Sequence, residues 1–154
     1  MRIVSVDPMN VVSKGVSSMS NVIFRGKRID NGEWIEGSVV KDPSLFGKTW
    51  IVELINENIV NWHRIYPGTR GQFTGLTDIN GKKIFEDDVV KTKYGRLCVV
   101  TWFSSRSHCG WDLTPVNDVE NIVHRKPPTD YDLWDGSNLE VVDNVHDNPK
   151  FTLV

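Results

Sequence analysis

Two cysteines, Cys98 and Cys109, are all that this chain of 154 residues carries. That is too few for a disulfide scaffold, and the close CxxC pair of a structural zinc site is missing. No apolar run approaches the length needed to cross a bilayer. Neither sign of charge dominates: 18 Lys and Arg face 20 Asp and Glu, a net charge of −2, with the signs interspersed. Such a balance creates no strong field toward nucleic acid or an anionic membrane, although a local basic patch is compatible with it. No serine elbow, HExxH pair or glycine-rich phosphate loop occurs anywhere. The start, MRIVSVDPMNVVSKGVSS, does not read as a signal peptide, because Asp7 and Pro8 interrupt any apolar core. These absences point to a reducing, cytoplasmic setting in a host cell, with no membrane partner and no cofactor.

What is present is β pattern. Val22–Arg25, Trp34–Val40, Trp50–Asn56, Ile59–Tyr66, Asp88–Lys93, Arg96–Phe103 and Leu139–Val145 are short and rich in Val, Ile, Trp and Tyr, and turn residues bound them. Asn31-Gly32 predicts a hairpin with a type I′ turn, in which both central residues take positive φ, and Asn80-Gly81 repeats the signal. Tyr94-Gly95 predicts a further turn. The surroundings of the two Asn-Gly pairs are alike, which fits either a duplicated β lobe or, more simply, shared hairpin grammar. Little has helical periodicity. The polar stretch near 117–137, with Pro127-Pro128 and the acidic-aromatic run through Trp134, reads as a long loop. At this length a chain buries roughly 70% of its unfolded surface and needs no staple, so one domain is expected over 21–154, with 1–20 as an extension.

The densest pattern is Gly71 to Thr92, GQFTGLTDINGKKIFEDDVVKT. Thr74, Gly75, Leu76, Asp78, Asn80, Gly81, Lys82, Ile84, Phe85, Glu86, Asp88, Val89 and Val90 stand where the signature of the YopX-like phage and prophage proteins has its matching positions. Phe24-Arg25-Gly26, Trp34-Ile35 with Gly37, and the closing Leu139 to Pro149 are similar to that family's two ends. Asp87 and Asp143 depart from it, standing where the family has glycine. If those glycines have positive φ, aspartate substitutes at some strain. The resemblance implies a β-rich, partly SH3-like barrel fold and a phage or prophage origin. It implies no established biochemical activity.

Each chemical reading has a structural competitor. Glu86, Asp87 and Asp88 have the composition of a divalent-metal or acid/base site, yet neighbours on a strand point to opposite faces and cannot converge without a turn. The favoured reading is that Asp88 accepts backbone N–H groups at a strand entrance, so the motif residues Thr74, Gly75, Leu76, Asp78, Asn80, Gly81, Ile84, Glu86, Asp88 and Val89 are structural. His63 and His108-Cys109 evoke a Cys/His nucleophile, but no helix N-terminus or fixed cation is predicted to activate a thiolate. Cys98, in an apolar run, reads as a buried inert thiol. Arg25, Lys27 and Arg28 followed by Trp34 form either a nucleic-acid platform or charged protection of an edge hairpin, and protection is favoured. Trp134 among acids reads as a protein-contact anchor.

The expectation is therefore a mainly β protein of small antiparallel sheets, at least one an SH3-like barrel, with few or no long helices. The expected function is that of a non-enzymatic phage or prophage accessory protein working through protein contact, with Arg25, Lys27, Arg28, Trp34 and Trp134 as the contact surface. Self-association is expected because open sheet edges need covering, and residues 1–18 are assigned a share of it. A nucleic-acid-associated barrel ranks second, and a metal-dependent hydrolase centred on Glu86 and Asp88 third.

Overall fold

The computed structural model describes residues 22–42, 47–56, 59–107, 109–116 and 135–151. The N-terminal extension, His108, Trp134 and most of the loop expected near 117–137 lie outside the described residues.

Among the described residues ten strands follow one another: β1 (Phe24–Lys27), β2 (Trp34–Asp42), β3 (Lys48–Asn56), β4 (Ile59–Ile65), β5 (Gly71–Thr77), β6 (Lys83–Phe85), β7 (Asp88–Thr92), β8 (Leu97–Ser104), β9 (Cys109–Pro115) and β10 (Leu139–Asn144). They form a six-stranded sheet in the order β4-β3-β2-β1-β5-β6 and a four-stranded sheet in the order β10-β7-β8-β9. Every described pairing is antiparallel. The helical turns among the described residues are short 3₁₀ segments at Pro67–Thr69, Gly136–Asn138 and Pro149–Phe151. The protein is mainly β, as its composition predicts. Among the described residues, no continuous ladder closes either sheet into a barrel. One isolated bridge, Arg28 to Ile65, brings β4 back toward the end of β1.

Burial alternates at the start of β3 and is continuous in β7 and the first half of β8. In β3, Thr49 and Ile51 turn inward, and Ile51 and Ile65 are fully buried. One buried cluster gathers Ile84, Val90, Cys98, Val100, Leu113, Leu139 and Val141, with Leu76 and Trp111 packed on it. Ile84 belongs to the six-stranded sheet and the other six buried members to the four-stranded sheet, so this core cements the two together. Burial pushes the Cys98 thiol up to about 11, which leaves it protonated at neutral pH and agrees with an inert core cysteine.

The turns correct one expectation. Neither Asn31 nor Asn80 takes positive φ, so neither Asn-Gly pair forms a type I′ turn. The first sits in a wider loop in which Gly32 N donates to Arg28 O and Arg28 N to Glu33 O. In the second, Gly81 N donates to Asp78 O while Asp78 N donates to Lys82 O, a turn closed by one left-handed glycine at φ 79°. Thr92 to Arg96 repeats that arrangement around Gly95. In each pair the glycine alone carries the left-handed conformation, because a Cβ disfavours it. Gly81→Val is therefore expected to cost about 1–2 kcal/mol, read as a lowered denaturant midpoint at unchanged slope. An unchanged midpoint would remove the case for a structural Gly81. The two surroundings also diverge in context. Ile35 to Val40 is one continuous strand, whereas Ile84 to Val90 is broken by a turn that passes from one sheet to the other.

Candidate functional site at the seam between the sheets

The broken stretch is where chemistry collects. Between β6 and β7 the chain turns at Glu86 and Asp87, and Asp87 is left-handed, with φ 67°. It is one of the two positions at which the sequence departs from a family glycine. Asp143, the other, is not left-handed and instead lies beside a register shift in the β10–β7 pairing.

The turn aims three consecutive carboxylates three ways. Glu86 accepts from Gln72 N at 3.3 Å. Asp87 meets His146 Nε2 at 2.9 Å. Asp88 is buried: it accepts from Phe85 N at 2.8 Å, from Arg25 Nη2 at 2.6 Å and from Asn144 Nδ2 at 3.3 Å. Burial pushes the Asp88 carboxyl above its ordinary value, and the Arg25 charge, the Phe85 amide and Asn144 pull it back only in part. No three His, Cys, Asp or Glu side chains among the described residues are grouped to hold a metal ion.

Arg25 sits at the centre of the seam. Its guanidinium lies 4.6 Å from the Trp34 ring centroid and 4.7 Å from that of Phe85, and its side chain is only 11% exposed. Two aromatic faces, the Asp88 carboxylate and the Glu86 carbonyl, which accepts from Arg25 Nη2 at 3.2 Å, thus hold a cation that β1 carries inward. Trp34 donates its indole N–H to Asp147 at 3.0 Å, and Asp147 also pairs with Lys27. Burial raises the Asp147 carboxyl, but the Lys27 and Trp34 bonds outweigh it and hold the group below its ordinary value. Arg28 is tied to Asp30 at 2.5 Å. Of the contact surface expected from sequence, Arg25, Lys27 and Trp34 therefore converge on the seam, and Arg28 pairs within its own loop.

A second buried acid works beside them. Asp78 accepts from Asn80 N at 2.8 Å and Lys82 N at 2.9 Å through Oδ1, and from Val141 N at 2.9 Å through Oδ2. Burial raises its carboxyl, but the amides of Val141, Lys82 and Asn80 prevail, and the group titrates below its ordinary value. Among the other motif residues, the Thr74 hydroxyl donates to Ile84 O at 2.8 Å and accepts from Leu76 N. Ile84 and Val89 are core, and Gly75 and Asn80 are exposed.

Above Arg25 a cleft of about 590 Å³ opens between β6 and β10, the terminal strands of their respective sheets. Trp34, Phe85 and Val142 give it apolar wall, and Glu36, Lys82, Lys83, Asp143 and Asp147 line it with charge. Lys83 is tied to Glu36 at 2.5 Å. The arrangement offers a mixed-charge recess with an aromatic floor, and its ionisable groups largely satisfy one another. Of the His and Cys residues singled out from sequence, the described ones do not assemble there: His63 is on β4, 3.5 Å from Glu53, Cys98 is in the core and Cys109 is exposed on β9.

The β3–β4 hairpin differs from the seam in having large apolar side chains in water. Val52 pairs with Trp62 and Leu54 with Val60. Leu54 is 71% exposed and Trp62 55%, and Val60 is also exposed. Trp62 rests edge-on against Trp50, centroids 6.5 Å apart. No sequence signal marked this face, because its residues satisfy a strand pattern equally well in a core.

Taken together, these features define a two-sheet antiparallel β protein whose sheets are joined by a buried ion pair and a shared apolar core. A family model described as YopX protein matches residues 23–152, and the chain belongs to that family. No curated protein matches the chain. No helix among the described residues is long and apolar enough to cross a membrane.

Proposed function

We propose that this YopX-family chain is a non-enzymatic accessory protein of a phage or prophage that works in the host cytoplasm by protein–protein contact. The observation that carries the reading is the apolar face of the β3–β4 hairpin, where Leu54, Val60 and Trp62 stand in water while most ionisable groups at the seam are taken up internally. Exposed apolar surface without converging titratable groups is the mark of a binding module rather than a reaction centre. Five of the six cations that a nucleic-acid reading needs on one face have an acidic partner: Arg25, Lys27, Arg28, Lys83 and Lys91 pair with Asp88, Asp147, Asp30, Glu36 and Glu140. Lys82 is the sixth. Such pairing cancels the field that phosphate binding uses. We further read β1 to β4 as an SH3-like barrel left open along one side, a reading supported by the Arg28–Ile65 bridge.

The test sets contact against chemistry. Mg²⁺, Mn²⁺ and Ca²⁺ at millimolar concentration are expected to leave the melting temperature within about 1 °C of the ion-free value, since an ion without a native site adds no binding free energy. A partner protein is expected to co-purify with the full chain from prophage-induced cells. A metal-dependent rise in melting temperature that disappears in Asp88→Ala would replace this reading with that of a metal-dependent hydrolase.

A further inference from the structure

We infer that the outer edge of β4 pairs with the same edge of a second copy of this chain, in antiparallel register centred on Asn61. The inference rests on the protein-contact reading above and names one partner and one surface for it.

Backbone hydrogen bonds fix which residues face outward. Ile29 N donates to Arg64 O at 3.0 Å, and Tyr66 N donates to Lys27 O at 2.9 Å, so even-numbered residues of this strand present their N–H and C=O groups away from β3. The parity extends to Val60 and Trp62, where the β3–β4 register is regular. β4 is the terminal strand of its sheet, and among the described residues only the Ile65 end of its outer edge is taken up, by the chain following β1. Among the described residues, no strand lies against that edge at Val60, Asn61 and Trp62.

The charge pattern selects a second copy as the occupant. Terminal strands are normally protected by charge or proline. Here β6 has Lys83, β9 has Asp112 and Pro115, and β10 has Glu140 and Asp143. β4 has Arg64, but at the end that Ile29 already occupies, and its Val60–Asn61–Trp62 stretch has no charged residue and no proline. It is also complementary to itself. A twofold axis at Asn61 sets Val60 of one copy opposite Trp62 of the other, twice, with both residues presenting backbone groups to the partner, and opposes no like charges. Cross-strand pairs of an aromatic with a β-branched residue are among the favourable ones. The exposed Leu54, which shares its face with Val60, adds apolar surface along the junction.

The register is tested with two double variants of the full chain, both placing charge on exposed side chains. Sedimentation velocity is run from about 1 to about 100 μM, with circular dichroism to verify the fold. Wild type is expected to shift from monomer to dimer across this range. Val60→Lys/Trp62→Lys sets lysine against lysine at both pairs and is expected to weaken dimerisation about 100-fold or more. Val60→Lys/Trp62→Glu sets lysine against glutamate at both pairs and is expected to keep the dimer. A monomeric wild type overturns the inference, as it would if residues 1–21 covered this edge in cis. Unchanged dimerisation in the double lysine variant overturns it too, and so does equal loss in both variants, which would show that the register is wrong. None of these results removes the protein-contact reading, which falls instead on an Asp88-dependent metal effect.

Discussion

Replacing Asp88 by alanine is expected to lower the free energy of unfolding by about 3–5 kcal/mol, the cost of stranding a buried charge. The variant leaves the Arg25 guanidinium enclosed by Trp34 and Phe85 with no carboxylate, and it strips the Phe85 amide of its acceptor. The pair itself is a poor source of net stability, because two charges had to leave water to make it. Arg25→Met combined with Asp88→Leu is therefore expected to unfold within about 2 kcal/mol of wild type. Urea denaturation of Arg25→Met, Asp88→Leu and the double variant completes a cycle that isolates the coupling. A loss below about 1 kcal/mol in Asp88→Ala would mean that the Glu86 carbonyl, together with water, satisfies Arg25 when the carboxylate is gone. Because burial raises the Asp88 carboxyl, its protonation is easier in the folded than in the unfolded chain. Its contribution favours the fold at low pH and is lost as pH climbs from the ordinary carboxylate range through the raised value.

Asp78→Ala is expected to cost about 2–4 kcal/mol, since three backbone amides lose their acceptor in one substitution. Two of those amides close the turn before β6, while the third, Val141 N, belongs to β10 in the other sheet. The loss should therefore be felt in both sheets, and hydrogen exchange is the measurement that sees it. Asn80, Lys82 and Val141 should all lose protection, and loss confined to the turn would show that the tie to β10 carries little. Here the pH dependence has the opposite sign. The folded Asp78 carboxyl titrates below its ordinary value, so its stabilisation is complete at neutral pH and disappears as pH falls through that lowered value. The slope of stability against pH below the ordinary carboxylate range should flatten in Asp78→Ala.

Strands rich in Val, Ile and Trp between turn residues were legible in the sequence: β2, β3, β4, β7, β8 and β10 overlap such runs. β5 was not, because GQFTGLT has two glycines and only two large apolar side chains, and β1 holds it in place through Phe24–Gln72. β6 is three residues long, too short for any period to show. β9 begins at an exposed cysteine and ends on a proline, and its pairing with β8 supplies what its own residues do not announce. At the site, the structural role of Asp88 toward backbone N–H was readable from its position ahead of a strand. The role of Arg25 was not, because its partner lies 63 positions away and a surface cluster of three cations looks the same on paper. Asn-Gly marked both turns correctly but not their geometry, since a single left-handed glycine closes a longer loop equally well.

The order of strands also sets a timetable for folding. β1 to β4 follow one another as neighbours in space and so do β7 to β9, so both groups can form from nearby stretches of chain. The pairing of β1 with β5, the placing of β10 against β7 and the Arg25–Asp88 contact all join distant segments, and each must close a long loop before it returns any free energy. Two quickly formed meanders followed by one slow joining step are the expected course. A chain emerging from the ribosome would then display β1 with one side unpaired until Gly71 to Thr77 has been synthesised. During that interval the protein depends on dilution, or on a chaperone, to keep that side from the wrong neighbour.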